Sequence, residues 1–425
     1  MNTAHKLGGD VALRRRVAIT GIGIVSSLGN DLDEVTTALR EGRSGIESRP
    51  DWREKGLSSW VAGRLEVEDR VARSALGRKR LEKMGEVSAL AALAAEDAID
   101  QAGLDAERRA SPRFGCLVGS GVGSMPTIHE GAALIDAGRA RRIRPHSLLQ
   151  SMSSAVSAHL THTFGIGGRS YSLAAACSTS SHSIGHAFEL IRCGALDGAL
   201  AGGAEEINII VAAAFNAMRA ALTTRWNDTP ALASRPFDAE RDGFVISGGA
   251  GVLVLEEREA ALRRGASSLG EVLGYGATSE PFDLILPEPS GRNALLCMRS
   301  ALADAGVEPA AIDYLNAHAT GTPTGDVAEV RAALSLFGER CPPIAAPKSI
   351  AGHGLGAAGA QEAIYSLAMM RAGFLAGSQN VERLDPQIPE GVVLCETVER
   401  RSRLHLVNSF GFGGTNASLV LGPGG

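Results

Sequence analysis

The sequence lacks both a marked charge imbalance and any long apolar stretch. Its 425 residues include 42 lysines and arginines against 47 aspartates and glutamates, a formal net charge of −5. No run reaches the ~18 apolar residues of a membrane span, and residues 1–15 contain no apolar core of the signal-peptide kind. These absences disfavour nucleic-acid and membrane partners, and they predict a cytoplasmic protein with an N-terminal extension at residues 1–15.

Closely paired cysteines are also missing. The six cysteines are Cys116, Cys177, Cys193, Cys297, Cys341 and Cys395. No C-x-x-C pair occurs, which argues against a zinc knuckle and against a disulfide framework and is typical of a reducing compartment. For most of them we expect the role of a small buried hydrophobic side chain.

What the sequence does contain is an internal duplication. The segment SALAALAAEDAIDQAGL followed by RFGCLVGSGVGS is echoed by LLCMRSALADAGV followed by IDYLNAHATGT. Two more echoes follow in the same order, FELIRCGALDGALAGG with LAMMRAGFLAGSQN, and GAGVLVLEE with TNASLVLG. Short β-branched runs alternate with alanine-rich segments, which predicts α/β layers around mostly parallel strands. We place the two halves at residues 16–264 and 265–425.

The duplication relates two segments that lie far apart in the chain. Aligning Arg192 with Arg371 gives an offset of 179 residues, which pairs Cys177 with Gly356 in PKSIAGHGLGAAG. Each segment leads into a predicted helix. Pseudo-twofold packing would bring the two helix starts face to face, so groups near Gly356 could meet Cys177.

Cys177 itself lies in AAACSTS, a run of small side chains. Such a run is needed where a strand turns sharply into a helix and leaves one residue open to a substrate. At a helix N-terminus, unpaired amides and the helix dipole favour the thiolate, which would lower the thiol pKa from ~8.5 toward neutrality. The position favours a nucleophile, with core filling as the alternative.

Two histidines stand in unusual settings. His318 lies in NAHATGTPTGD, where a strand ends in a loop of Gly, Thr and Pro, and His353 lies in KSIAGHGLGAAG between glycines. The other histidines are interpreted as surface or core residues. A zinc site formed by Cys177 with both histidines is conceivable, but these residues lack the close paired spacing of structural zinc sites, so we expect no bound metal.

Seven motifs follow one another along nearly the whole chain. They are VAITGIGIVSSLGN, LREGRSGI, AAACSTS, FDAERDGFVISGG, NAHATGTPTGD, PKSIAGHGLGAAG and NSFGFGGTN. Together they resemble the β-ketoacyl-acyl carrier protein synthases of the thiolase superfamily, of the Cys-His-His type. ASRPFDAERDGFV, LGYGATSE and the compact length are more similar to the bacterial synthases I and II, and we favour synthase I. The resemblance implies a thiolase-like fold, with two duplicated halves in a five-layer α-β-α-β-α arrangement, a homodimer and no cofactor.

The resemblance also implies an acyltransferase reaction. This is the decarboxylative Claisen condensation of malonyl-acyl carrier protein with an enzyme-bound acyl thioester, which gives 3-oxoacyl-acyl carrier protein in fatty acid elongation. Cys177 would accept the acyl chain, and His318 and His353 would stabilise the enolate that loss of CO2 leaves. The backbone amides of Cys177 and Phe412 would form the oxyanion hole. Lys348 would tune local protonation.

Further roles follow from the same resemblance. Asp326 and Glu329 would organise the active-site network, although capping of a helix N-terminus is an equally good interpretation of Glu329. The residues assigned to the substrate are Thr320, Thr322, Val122, Met152 and Phe410. The threonines would contact the pantetheine amides, and Val122 and Met152 would line the acyl pocket, with plain core filling as the alternative for Met152.

One basic cluster stands out in GRARRIRP, and a smaller patch is GRKRLEK. The arginines of the cluster are Arg139, Arg141, Arg142 and Arg144. Carrier proteins are acidic, so we expect these patches to dock an acyl carrier protein, with a larger effect on the association rate than on affinity. A solvated face is the alternative.

Related enzymes fit less well. A thiolase would use a second cysteine near the C-terminal Gly-rich loop, which reads NSFGFGGTN, and a type III synthase would have Asn where His353 stands. A non-catalytic chain-length partner would have lost Cys177. A ketosynthase subunit of a type II polyketide or polyene system, active or paired with such a partner, stays open, and with it a heterodimer.

Overall fold

The computed structural model describes residues 15–218 and 221–424. The N-terminal extension predicted for residues 1–15 therefore lies, except for its last residue, outside the described residues. Among the helices of the described part, none is long and apolar enough to cross a membrane.

Strands and short loops alternate with helices along the chain. The strands are β1 (Val17–Val25), β2 (Ile46–Ser48), β3 (Val61–Gly63), β4 (Phe114–Gly119), β5 (Gly198–Glu205), β6 (Gly249–Glu257), β7 (Gly270–Ser279), β8 (Tyr314–Asn316), β9 (Ile344–Ala345), β10 (His405–Gly411) and β11 (Thr415–Pro423). The helices of the first half are α1 (Leu32–Glu41), α2 (Pro50–Glu54), α3 (Glu68–Arg73), α4 (Arg78–Met84), α5 (Glu86–Ala102), α6 (Ala106–Ala110), α7 (Met125–Asp136), α8 (Ser147–Ser151), α9 (Ala155–Phe164), α10 (Thr179–Arg192), α11 (Ile209–Asn216) and α12 (Arg258–Arg263). The second half has α13 (Arg292–Ala305), α14 (Pro323–Phe337), α15 (Lys348–Ala351) and α16 (Ala358–Ala372).

The main sheet carries the duplication in its strand order. Its nine strands run β4-β5-β6-β1-β7-β11-β10-β8-β9, so the order β1-β6-β5-β4 on one side is mirrored by β7-β11-β10-β8 on the other. The two sides join where Val17–Ile19 of β1 pairs with Gly270–Val272 of β7. The boundary between residues 264 and 265 falls in the connection from α12 to β7 and stays a prediction.

The expectation of mostly parallel strands is wrong. Within the main sheet, β4 with β5, β10 with β8 and β8 with β9 are parallel, and the remaining five pairings are antiparallel. The reason is local in the case of β10 and β11, because only three residues join them and so short a link allows only a hairpin. Gly413 and Gly414 in that link have φ values of 79° and 72°, which glycine adopts without strain.

Helices pack on the outside of each half of this sheet, and two further helices lie between the halves. Helices α10 and α16 lie against strands of both sides, while α5 packs with α9 on the outside of one half and α13 packs with α14 on the outside of the other. The largest buried cluster lies around the two central helices and includes Ile184, Phe188, Ile364 and Leu367. The result is the predicted five-layer α-β-α-β-α arrangement.

The two central helices begin in the same way. A 3-10 turn at Ala176–Ser178 precedes α10, and one at Leu355–Ala357 precedes α16, so the offset of 179 residues holds residue by residue. Ala176 and Leu355 occupy the left-handed region, with φ values of 46° and 50°. This conformation is uncommon for residues other than glycine. The predicted sharp turn at Cys177 is therefore present, although the residues before it contribute only one isolated bridge, at Ser170.

Close packing of β1 on α5 generates a test of the fold. A Cβ atom at Gly23 would lie 1.7 Å from the carbonyl oxygen of Ala94, which is backbone in the middle of α5. Gly23→Ala should therefore lower the free energy of unfolding by about 1–3 kcal/mol through overpacking. Urea denaturation followed by circular dichroism measures the change.

The control is a glycine inside a helix that has free space around it. A Cβ at Gly131, inside α7, meets nothing within 4 Å, so Gly131→Ala should raise the stability by about 0.5–1 kcal/mol through helix propensity. Equal effects of the two substitutions would contradict the packing described for β1 and α5.

Candidate active site

Three reactive side chains meet although they are distant in the sequence. The Sγ of Cys177 and ring nitrogens of His318 and His353 all lie within 4.8 Å of one another. Cys177 comes from the turn before α10, His318 from the loop after β8, and His353 from the loop between α15 and α16. The convergence follows from the pseudo-twofold packing of the two helix starts.

Hydroxyl groups fasten the turn that presents Cys177. The Oγ1 of Thr179 donates to the carbonyl of Ala176 (2.8 Å) and accepts from the amide of Ala175 (2.9 Å), and the Oγ of Ser178 donates to the carbonyl of Ala175 (2.8 Å). Thr415, from β11, also donates to that carbonyl, at 3.1 Å. The residues that follow the cysteine in AAACSTS thus hold the strained turn by local hydrogen bonds.

The backbone of His353 forms an isolated parallel β-bridge with Ile246. Its amide donates to the carbonyl of Val245 (2.8 Å), and its carbonyl accepts from the amide of Ser247 (2.9 Å). Both partners belong to the motif FDAERDGFVISGG, whose contribution to the site is therefore the placement of His353. The ring of Phe244 packs edge-on against the imidazole, with 5.3 Å between centroids.

A cavity of about 240 Å³ surrounds the three side chains. Of the residues assigned from the sequence, those that line it are Cys177, His318, Thr320, Thr322, Asp326, Glu329, His353, Phe410 and Phe412. Its wall is completed by Phe215, Met218 and Phe244 and, at the mouth, by the loop of residues 280–288. The aromatic wall residues and the loop lie outside the motifs on which the sequence interpretation relied, apart from Phe244.

The expected low pKa of the Cys177 thiol is wrong. Burial raises the pKa of this thiol to about 12, and the nearby Lys348 ammonium and the backbone amides of Phe412 and Cys177 offset only part of that effect. The carboxyl group of Glu205 adds to the rise. Loss of hydration on burial therefore raises the thiol pKa by more than the helix N-terminus lowers it, and the resting side chain of Cys177 is a protonated thiol.

The two histidines are neutral in the folded protein. Burial lowers the pKa of both imidazoles well below the usual 6.5, and the charge of Lys348 lowers them further. Within the described residues, Nδ1 of His318 and both ring nitrogens of His353 have no hydrogen-bond partner. Each ring can therefore turn a donor or an acceptor toward a bound molecule.

Glu329 holds the loop that carries His318. Its carboxylate accepts from the amides of His318 (2.9 Å) and Ala319 (2.8 Å) and from the side-chain amide of Asn408 (2.9 Å). Burial raises its pKa, while these donors act in the opposite direction. These bonds reach from α14 to the loop after β8 and to β10, so Glu329 does not cap its own helix, and its role in an active-site network stays a prediction.

Asp326 and Lys348 are likewise buried and paired. Asp326 accepts from the amides of Phe237 (2.9 Å) and Gly321 (3.1 Å) and lies 3.3 Å from the guanidinium of Arg241. Lys348, with 1% of its surface exposed, donates to Oε1 of Glu362 at 2.9 Å. A buried lysine with a partner of this kind is no solvated surface residue, and its charge acts on the three reactive groups.

Two family models match most of the chain, up to residue 382. The model of the β-ketoacyl synthase N-terminal domain matches residues 14–261, and that of the β-ketoacyl synthase C-terminal domain matches residues 269–382. The chain belongs to the β-ketoacyl synthase family. The predicted family and the predicted acyltransferase class are thereby confirmed.

Individual relatives refine this assignment. The 3-oxoacyl-[acyl-carrier-protein] synthase 1 of Escherichia coli K12 is 46% identical over 96% of this chain and 98% of its own length, and the synthase 2 of Coxiella burnetii is 35% identical over 96% and 98%. This difference confirms the preference for synthase I over synthase II.

Solved structures confirm the thiolase-like fold of the ketosynthases. A β-ketoacyl synthase from Burkholderia phymatum STM815 has a TM-score of 0.89 at 36% identity, covering 96% of this chain and 99% of its own. The ishigamide ketosynthase/chain length factor has a TM-score of 0.87 at 32% identity, covering 97% and 100%.

Some assigned residues of this β-ketoacyl synthase lie away from the cavity. Val122 is 42% exposed on the single chain, and Met152 borders a separate surface cleft together with Arg78 and Lys83. The arginines of the basic cluster are all exposed, and Arg144 pairs with Glu130 at 2.6 Å. The proposed acyl-pocket and docking roles of these residues stay predictions.

Sequence reasoning missed Glu205, which links the loop after β4 to the turn that precedes α16. Its buried carboxylate accepts from the hydroxyl of Ser120 (2.7 Å) and from the amides of Gly121 (2.8 Å) and Gly356 (3.2 Å). Gly356 is the pseudo-symmetric counterpart of Cys177. The unusual pair of glutamates that follows the apolar strand in ALAGGAEE was the signal that could have revealed it.

Burial of His353 generates a pH-dependent prediction. Its pKa is lowered on folding, so the unfolded chain binds a proton near pH 6.5 that the folded chain does not, and stability falls as the pH falls below 6.5. Between pH 7.5 and 5.5 this residue should contribute about 1.4 kcal/mol of that loss. His353→Gln should remove that share, as measured by urea unfolding at the two pH values.

The control is the parent protein measured at the same two pH values. A His353→Gln protein with the same pH dependence as the parent would contradict a neutral, buried His353.

Proposed function

We propose that this chain catalyses the decarboxylative condensation of malonyl-acyl carrier protein with an acyl group carried on Cys177, as a synthase I of fatty acid elongation. The observation that carries the proposal is the meeting of one thiol and two neutral imidazoles in a single cavity of a β-ketoacyl synthase. The domain division at residues 264 and 265 belongs to the same proposal, with the nucleophile in the first half and both histidines in the second.

Acyl transfer comes first. The Sγ of Cys177 attacks the carbonyl carbon of the acyl thioester, the bond to the carrier thiol breaks, and the thiol proton ends on the released carrier thiol. The backbone amides of Cys177 and Phe412 lie close to Sγ, so they would donate to the oxyanion of the tetrahedral intermediate. Since the thiol has a high pKa, its proton leaves only as the new bond forms.

Decarboxylation and condensation follow. Loss of CO2 from the malonyl thioester leaves its electron pair in an enolate, whose oxygen would accept hydrogen bonds from His318 and His353. Neutral imidazoles can serve as these donors, and the low pKa values keep them neutral. The enolate carbon then attacks the acyl carbonyl, a carbon–carbon bond forms, and the thiolate of Cys177 leaves. Lys348 and Glu362 would stabilise the negative charges of the enolate and of the Cys177 thiolate while these species exist.

Substrate and carrier contacts complete the proposal. Thr320, Thr322 and Phe410, which line the cavity, would hold the pantetheine arm and the reacting thioesters. The acidic carrier protein would dock on the exposed arginines of residues 139–144 and on the basic side chains of α4. The basic side chains of α4 border a surface cleft whose other wall includes residues that follow the arginine cluster in the sequence. Six free cysteines agree with action in the reducing cytoplasm.

We also propose that two copies form a homodimer through the face that carries Val122. Exposed apolar side chains gather on this part of the surface, including Ile128, Ile135, Leu148 and Leu149. A group of neighbouring exposed apolar side chains, unlike single scattered ones, is typical of a surface that is buried against a second chain. In that arrangement Val122 and Met152 would close an acyl pocket that the single chain leaves open.

A ketosynthase subunit that works with a chain-length partner is the second candidate. The fold shared with the ishigamide ketosynthase/chain length factor favours it. The higher identity to synthase 1 relatives gives preference to fatty acid elongation.

The half-reactions provide the main test of function. Incubation with acyl carrier protein loaded with an acyl group should add that acyl mass to Cys177, and Cys177→Ala should abolish the adduct. His318→Ala and His353→Ala should each lower CO2 release from malonyl-acyl carrier protein by about a hundredfold while some acyl-enzyme still forms. Peptide mass spectrometry and CO2 release measure the two steps.

Two results would oppose this division of labour. One is an acyl adduct on another cysteine. The other is equal loss of both half-reactions in folded His318→Ala protein, with folding checked by circular dichroism.

The assembly distinguishes the two candidates. The purified protein should have about twice the mass of one chain by light scattering, and it should extend acyl chains without any other synthase subunit. Ile135→Glu, which puts a charge on the proposed interface, should shift the mass toward that of one chain. A monomer that gains activity only with a second, different ketosynthase-like chain would favour the polyketide candidate.

A further inference from the structure

The catalytic cavity also has the donor atoms of a zinc site. Cys177 offers a sulfur and the two histidines offer ring nitrogens, all within 4.8 Å of one another. In a tetrahedral zinc site, bond lengths of 2.3 Å to sulfur and 2.0–2.1 Å to nitrogen separate the ligand atoms by about 3.4–3.6 Å. The three atoms would therefore need to approach by at most about 1.4 Å, which rotation of the side chains can supply.

The imidazole nitrogens are available for such a bond. Nδ1 of His318 and both ring nitrogens of His353 are buried and have no hydrogen-bond partner among the described residues. The two rings already face each other edge-on, with 5.3 Å between centroids, and Phe410 packs against His318 at 5.9 Å. A metal ion could bind one nitrogen of each ring without breaking a hydrogen bond of these atoms.

The charges around the site are nearly balanced. Lys348 disfavours a cation, but it is paired with Glu362 at 2.9 Å. The carboxyl groups of Glu205 and Glu329 also lie near the site, with Glu205 acting on Cys177 and Glu329 accepting from the amide of His318. Sulfur and imidazole ligands suit zinc, whereas Mg²⁺ prefers oxygen ligands.

We infer that Cys177, His318 and His353 bind Zn²⁺ reversibly, in competition with acylation of Cys177; as the zinc–sulfur bond forms, the thiol proton of Cys177 is released to solvent. The fourth position of the metal would face the cavity. The inference rests on the proposed function only because it takes Cys177 as the thiol that is acylated. If zinc blocks this thiol, thiophilic metal ions are a class of inhibitor for the site. Spacing along the sequence argued against a zinc site because the three ligands converge only in the folded chain.

Direct binding tests the inference. Protein treated with a chelator and then freed of it should bind Zn²⁺ at one equivalent per chain in calorimetry. Alkylation of Cys177 by iodoacetamide, followed by peptide mass spectrometry, should slow at least about tenfold with zinc and recover with EDTA. Mg²⁺ should leave the alkylation rate unchanged. Co²⁺ in place of zinc should give the absorption band of a cobalt–thiolate bond.

Variants locate the site. Cys177→Ser and His353→Gln should each weaken zinc binding by at least about a hundredfold, since even loss of an outer hydrogen-bond partner costs 10- to 100-fold. The matched controls, Cys193→Ser and His162→Gln, change exposed residues and should bind zinc like the parent. Circular dichroism verifies that each variant is folded.

Two outcomes would overturn the inference. Undiminished zinc binding by both Cys177→Ser and His353→Gln would place the metal elsewhere, and an unchanged alkylation rate with bound zinc would show that the thiol is not a ligand. Condensation by the metal-free protein is measured separately. Its absence would count against the proposed function and would leave the zinc result standing by itself.

Discussion

The close approach of α10 and α16 at the centre of the molecule is the constraint on which the site depends. The amide of Ala360 donates to the hydroxyl of Ser180 at 2.9 Å, and a Cβ at Gly359 would lie 2.0 Å from the hydroxyl oxygen of Ser181. Only small side chains allow the helices to approach this closely. Because their N-terminal turns then face each other, the nucleophile of one half comes within reach of the histidine loops of the other.

Burial sets the chemistry of the groups that meet there. The same exclusion of water keeps the thiol of Cys177 protonated and the imidazoles of His318 and His353 neutral. The site therefore holds a thiol and two uncharged imidazoles side by side. A charged group in this setting needs a partner, as the ion pair of Lys348 with Glu362 illustrates.

Buried carboxylates provide the rigidity that short loops could not provide alone. Glu329 holds the loop of His318, Asp326 holds the turn at Gly321, and Glu205 links Gly121 to Gly356. Each of them accepts several backbone amides, so the loops keep one conformation although they contain few regular hydrogen bonds. The motif TGDVAEV therefore positions the loop of His318 from inside a helix.

The sequence by itself determined the duplication, the offset that relates Cys177 to Gly356, the family and the three reactive residues of the cavity, because these depend on the order and spacing of motifs, whereas Phe215, Met218 and the loop of residues 280–288 were found only in the structure. It did not determine strand direction, since β10 and β11 are antiparallel only because of the hairpin between them. It also failed on the pKa of Cys177, because the local helix start is visible in AAACSTS whereas the loss of water is not. Only the tertiary structure decided how deeply each group is buried and which distant groups meet, since both depend on how the two halves enclose α10 and α16.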